Sequence, residues 1–168
     1  ANLLVKELFG DEHHYLWDHF DGTFPAHEPN PLEVENCEDL KRAVIANKSD
    51  IGVIFDGDAD RVMFLDENGR FLQADYVTAV IGHFYLSRDK GRVLIDIRTS
   101  RSTSEYLLQN GAEVHTWKVG HAFAKNKMRE LGAIFGGELA GHYYFRDFFN
   151  CDSGFYAAMI VLSVTAEL

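Results

Sequence analysis

Short apolar runs that break off abruptly alternate along this chain with stretches of about ten residues whose apolar positions recur at helical spacing. That alternation constrains the fold more than any other feature, because strands separated by helices imply α/β layers. The strand-like runs are Ile51–Phe55, Val62–Leu65, Arg70–Leu72 after the turn Asp66-Glu67-Asn68-Gly69, Val93–Ile97, Glu113–Trp117 and Ile134-Phe135. Helical spacing predicts helices over 2–10 with a stop at Gly10, over Glu38–Asn47, and from an Asp75 cap to about Leu86. It also predicts one capped by Ser102 or Thr103 that ends at Asn110-Gly111, one over Ala122–Leu131 closed by Gly132, and one from Ser153 to about Ala166. Pro25, Pro29 and Pro31 make Asp21–Pro31 an irregular loop. Ser87–Gly91 reads as a linker. The expected architecture is two adjacent three-layer α/β/α units with mostly parallel mixed sheets, over residues 1–87 and 88–168.

A length of 168 residues suits one ordinary domain, or two small ones that share an interface. With 46% apolar residues the chain is neither disordered nor fibrous. Its 26 Asp plus Glu outnumber 16 Lys plus Arg, and no Lys/Arg run exists, so nucleic acid is not an expected partner. Nor is a membrane, because the longest apolar stretch, Phe155–Val164, is half the length needed to span one. Cys37 and Cys151 are far apart, and ANLLVKELFG lacks the basic start and apolar core of a signal peptide. A reducing, cytoplasmic setting is therefore expected.

Chemistry concentrates in three segments. Asp56, Asp58 and Asp60 stand two apart at the end of an apolar strand, so their side chains point the same way. Three converging carboxylates repel one another, and a hard divalent cation removes the conflict. Gly57 and Ala59 are small enough for the backbone to curl around an ion. A solvated turn is the plainer reading. A twelve-residue calcium loop from Asp56 to Glu67 fails at its sixth position, where Arg61 replaces the required glycine. A third possibility is a phosphatase in which Asp56 is the nucleophile and Asp58 an acid/base. Arg61 fits these schemes as a phosphate-binding cation or as a charge-balancing partner.

Lys118-Val119-Gly120-His121 follows a strand and precedes a helix, the place where α/β sheets bind ligands. Lys118 and His121 could hold or protonate a phosphorylated substrate there, or could be a surface lysine and a packed histidine. In Gly136-Gly137-Glu138-Leu139-Ala140-Gly141-His142, three glycines permit unusual backbone angles and a close ligand. Glu138 can accept hydrogen bonds from sugar hydroxyls and His142 can donate to oxygen, although a glycine-rich hairpin turn would look the same. Neither loop has the GxxxxGK[ST] or GxGxxG pattern of a nucleotide site.

DGDADR at 56–61, KVGH at 118–121 and GGELAGH at 136–142, in this order, resemble the α-D-phosphohexomutase superfamily, most closely its phosphomannomutase/phosphoglucomutase branch. GTFPAHEPNP at 22–31 is similar to a segment upstream of that family's metal loop. The resemblance spans nearly the whole chain, as the later part of domain II and most of domain III. It implies reversible phosphoryl transfer between the 1- and 6-hydroxyls of glucose or mannose, through a phosphoserine in domain I and a hexose 1,6-bisphosphate. It further implies that Asp56, Asp58 and Asp60 hold Mg²⁺, and that Glu138 and position 140 grip sugar hydroxyls. Lys118, His121 and His142 become acid/base or binding residues around the cleft. Position 140 is usually serine in the branch and is Ala140 here, which removes one sugar contact. The serine loop, domain IV and the first strand of domain II have no counterpart in this sequence. The expected partners are thus a phosphorylated hexose and domains I and IV of a parent chain, and the isolated segment is expected to be inactive; the non-enzyme alternative is a sugar-phosphate-binding module that keeps Glu138 and its loop without turnover.

Overall fold

A computed structural model of the chain describes residues 2–10, 13–19 and 21–167. Ala1 and Leu168, the outer limits of the two expected units, lie outside the described residues. Helix α1 (Asn2–Phe9) ends at Gly10, and an irregular segment with a short 3₁₀ turn at Val34–Cys37 leads to helix α2 (Glu38–Asn47). Strands β1 (Ile51–Phe55), β2 (Val62–Asp66) and β3 (Phe71–Leu72) form a first sheet in the order β1-β2-β3. After helix α3 (Ala74–Leu86) come β4 (Arg92–Asp96), α4 (Arg101–Gln109), β5 (Glu113–Trp117), α5 (His121–Leu131) and β6 (Phe135–Gly137). The chain finishes with β7 (Tyr143–Phe145), a 3₁₀ turn at Arg146–Phe148, β8 (Cys151–Asp152) and α6 (Gly154–Ala166). The second sheet has the order β5-β4-β6-β7-β8.

Two α/β/α-like units are present, but their sheets are mostly antiparallel, not mostly parallel. β1 pairs antiparallel with β2, running from Ile51↔Asp66 to Phe55↔Val62, and β2 pairs antiparallel with β3. Among the described residues only β4–β5 and β4–β6 are parallel, whereas β6–β7 and β7–β8 are antiparallel. Connection length explains the difference. A parallel pair needs a crossover of a dozen or more residues, which the segments holding α4 and α5 supply within the second sheet. The links 56–61, 138–142 and 146–150 are hairpin-sized and force reversal. β7 and β8 had no counterpart in the sequence reading, because YYF and CD are too short to show a period of two.

Two helix starts also differ from expectation. Gln73, in extended conformation, precedes α3, and Asp75 is buried in the first turn instead of capping it. Ser100 caps α4, its Oγ accepting from the Thr103 amide at 3.3 Å. In a run of Ser and Thr, the first to adopt extended angles takes the cap position.

Alternation along the second sheet sorts its residues into two layers. Val93, Ile95, Phe135, Tyr143 and Phe145 face α3, α4 and α6, while Leu94 and Tyr144 face α5 through Ala124 and Met128. Helix α6 is apolar on all sides because it packs against both sheets. Its Ala157, Ala158 and Val161 share one cluster with Val62 and Phe64 of the first sheet and Phe145 of the second. No helix among the described residues is long and apolar enough to cross a membrane.

Phe145 is fully buried against the rings of Tyr85, Phe135 and Tyr156. Phe145→Ala should lower unfolding free energy by about 3–5 kcal/mol in a urea titration, and a loss below about 1 kcal/mol would contradict this packing.

Candidate functional site

Each of the three segments lies at the end of a strand, and the topology brings those ends together. The DGDADR loop is the β1–β2 hairpin. Its tightness comes from Ala59, which takes a positive φ of 62°, and from the Ala59 amide donating to the Asp56 carbonyl at 3.2 Å. Arg61 closes the loop on Asp56. Its backbone N–H donates to Asp56 Oδ1 at 3.1 Å and its Nε to Oδ2 at 2.6 Å, and a terminal nitrogen reaches Asn30 Oδ1 at 3.3 Å. Asp56 is buried, Asp58 exposed and Asp60 half-buried, and one carboxylate oxygen from each lies within 4.8 Å of the others. Burial raises the Asp60 carboxyl, His142 pulls against it, and Asp56 and Asp58 push it up, leaving it at about 6. A set of oxygen donors that resist being charged together is compatible with a hard divalent cation.

The GGELAGH loop is the β6–β7 hairpin. The Glu138 amide donates to the His142 carbonyl at 2.9 Å and the Gly141 amide to the Glu138 carbonyl at 3.0 Å, with Gly141 at φ +87°. Glu138 is 4% exposed. Its Oε1 accepts the Gly120 N–H at 3.0 Å, which ties the KVGH loop to this one. Lys118 is exposed, its Nζ 3.6 Å above the Phe123 ring. His121 begins α5, and its ring stacks on His142 with centroids 5.9 Å apart. Ala140 sits in the hairpin turn, half-buried.

The acidic loop and the sugar-like loop are joined directly. Arg61 and His142 form an antiparallel bridge, and the Val62 amide donates to the Gly141 carbonyl at 3.2 Å. His142 Nδ1 lies 3.7 Å from Asp60 Oδ2. Segments about 80 residues apart in sequence are thereby joined by backbone contacts.

Several residues that hold this arrangement escaped the sequence reading. Asp96, buried at the end of β4, accepts from the Leu139 amide at 2.9 Å and from the Arg98 guanidinium at 2.7 Å, anchoring the Glu138 hairpin. Asp152 accepts from His142 Nδ1 at 2.9 Å and from Lys125 Nζ at 2.8 Å. Burial opposes its charge, yet His142 and Lys125 outweigh that and hold its carboxyl at about 2. Asp60, His142 and Asp152 form a second cluster with metal-ligand spacing, but Lys125 already neutralises Asp152. The one signal in the sequence was an acid immediately before the Ser153 helix cap. Gly154 starts α6 with its N–H on the Ala59 carbonyl at 3.2 Å. A Cβ there would lie 2.8–2.9 Å from the Arg61 and Ala59 carbonyl oxygens.

Two family matches divide the chain. Residues 73–168 match the family described as phosphoglucomutase/phosphomannomutase, alpha/beta/alpha domain III, and residues 5–69 match its domain II. Phosphomannomutase of Escherichia coli (strain K12) is 41% identical over 149 residues, covering 88% of this chain and 32% of the relative. Phosphomannomutase of Methanocaldococcus jannaschii is 37% identical over 165 residues, covering 98% of the chain and 36% of the relative. Among solved structures, a phosphoglucomutase/phosphomannomutase family protein from Burkholderia thailandensis superposes with a TM-score of 0.88. It is 33% identical, and the match covers 91% of this chain and 34% of that one. The chain thus spans about a third of the length of the relatives it matches.

Gly154→Ala should force the acidic hairpin away from α6 and cost about 1–3 kcal/mol. Gly22→Ala, whose added Cβ meets nothing within 4 Å, should be close to neutral. Equal thermal stabilities for the two variants would contradict the close approach.

Proposed function

The chain belongs to the phosphoglucomutase/phosphomannomutase family, and from that premise we propose that it carries the metal loop and sugar loop of a phosphohexomutase. The observation that supports this reading is the bridge between Arg61 and His142, which joins the acidic hairpin to the Glu138 hairpin and leaves His142 Nδ1 3.7 Å from Asp60 Oδ2. The reaction is interconversion of hexose 1-phosphate and hexose 6-phosphate, glucose or mannose, through a phosphoserine and a hexose 1,6-bisphosphate. That serine and an outer phosphate clamp belong to domains I and IV of a longer chain.

In this reading Asp56, Asp58 and Asp60 hold Mg²⁺, which when bound neutralises charge on the phosphoryl oxygens. Arg61, already engaged by Asp56 and Asn30, keeps the hairpin closed and lends positive charge to the phosphate side of the cleft. Glu138 presents Oε2 to the sugar hydroxyls, since Oε1 takes the Gly120 N–H. Ala140 supplies no hydroxyl, so recognition at that position rests on backbone groups. As a sugar hydroxyl attacks the phosphoserine, an O–P bond to the sugar forms and the serine O–P bond breaks. The hydroxyl proton passes to His142 or Lys118, with His121 stacked behind His142, and an equivalent proton is taken up by the departing serine oxygen. Positioning and charge neutralisation supply most of the catalysis.

What favours the mutase over the phosphatase reading is that both matched families are mutase domains.

The experiment pairs steady-state kinetics with magnesium titration in the full-length chain. Asp58→Asn should weaken Mg²⁺ binding. Glu138→Gln should cut turnover at least about tenfold and leave Mg²⁺ affinity nearly unchanged. Collapse of metal affinity in Glu138→Gln, with turnover recovering at high magnesium, would move Glu138 into the metal site. The isolated 168-residue chain should form no hexose 6-phosphate, and turnover abolished by Asp56→Ala would revive Asp56 as nucleophile.

A further inference from the structure

His142 has one ring nitrogen committed and one free. Nδ1 lies 2.9 Å from Asp152 Oδ2, and Nε2 has no hydrogen-bond partner among the described residues. The carboxylate comes from β8, the imidazole from the residue before β7, and Lys125 from α5, so three elements fix the group. The register places Asp152 opposite Tyr144, two residues beyond His142. The Asp152 side chain is 5% exposed, and its other oxygen, Oδ1, is held by Lys125 Nζ at 2.8 Å. It is therefore anchored from the side away from the imidazole.

The geometry points to Asp152, steadied by Lys125, as a positioning residue that fixes His142 in the tautomer with the proton on Nδ1. A carboxylate only accepts hydrogen bonds, so the nitrogen facing it must carry the proton. The lone pair is then on Nε2. Stacking on His121 and Tyr144 restrains the plane of the ring. The Lys125 ammonium, which can only donate, lies 2.8 Å from Asp152 Oδ1, so Asp152 serves as an acceptor on both sides. The tautomer follows from geometry alone. Its use, Nε2 taking a proton from a sugar hydroxyl, rests on the proposed mutase reaction.

Lys125 makes the idea sharply testable. In Asp152→Asn the ammonium keeps the carboxamide oxygen, because it cannot face the NH₂. The NH₂ is then turned toward Nδ1, which must become the acceptor, and the proton moves to Nε2. An Asp→Asn exchange that preserves shape but reverses a tautomer costs a serine protease about 10⁴ in turnover.

The test is nitrogen NMR of histidine-labelled full-length protein at alkaline pH, where the ring is neutral, with His142 assigned from its Gln variant. In the wild type Nδ1 should show the shift of a protonated nitrogen and Nε2 that of an unprotonated one. Asp152→Asn should reverse the two. Lys125→Met should leave them as in the wild type, and combining both changes should relax the reversal because the amide is free to flip. The Lys125→Met result stands even where Asp152→Asn folds poorly. A wild-type His142 protonated on Nε2, or an unaltered tautomer in folded Asp152→Asn, would overturn the proposal. Kinetics separate the two layers. Asp152→Asn should lower kcat at least about tenfold with KM changed less than about threefold. Reversal of the tautomer with unchanged kcat would uphold the positioning role and remove His142 from the proton-transfer reading.

Discussion

One backbone contact organises the site. The Val62 amide donates to the Gly141 carbonyl, and with the Arg61–His142 bridge it joins the first strand pair to the second sheet. Without it, the acidic hairpin and the Glu138 hairpin would be two separate loops on two sheets. The contact is supported from behind by α6, whose first residue is a glycine because the Ala59 and Arg61 carbonyls leave no room for a Cβ. The same helix fills the space between the sheets with Ala157, Ala158 and Val161, so the core and the cleft are held by one element.

The electrostatics follow from that placement. Acidic residues dominate the chain, and at the cleft they are sorted by what neutralises them. Asp56 is paired with Arg61, Asp96 with Arg98, and Asp152 with Lys125 and His142. Glu138 keeps one oxygen on a backbone N–H. Asp58 is exposed, and Asp60, near Arg61 and His142, is pushed up to about 6 by burial and by the other two carboxylates.

Much of this was legible in the sequence, and the omissions have physical causes. The β1 and α2 bounds, the α5 stop at Gly132 and the start of α6 after Ser153 agree with the periodicity and the caps. Strand direction does not, because it depends on the length of each connection and not on the alternation of strands and helices. Six residues between Phe55 and Val62 already require an antiparallel pair. DGDADR and GGELAGH announced themselves through spacing and glycine. The residues that hold them, Asp96, Lys125 and Asp152, are single acids or bases in ordinary surroundings. Their significance arises only when β4, α5 and β8 come together, which no local pattern encodes.

The central claim is that two hairpins distant in sequence act as one cleft. Amide hydrogen exchange in the full-length chain, with and without hexose 1,6-bisphosphate and magnesium, tests it most directly. The account predicts that residues 56–62 and 136–142 gain protection together, at the same ligand concentration, while α1 is unaffected. Protection of one hairpin with the other exchanging at its unliganded rate would show that they do not form a common site.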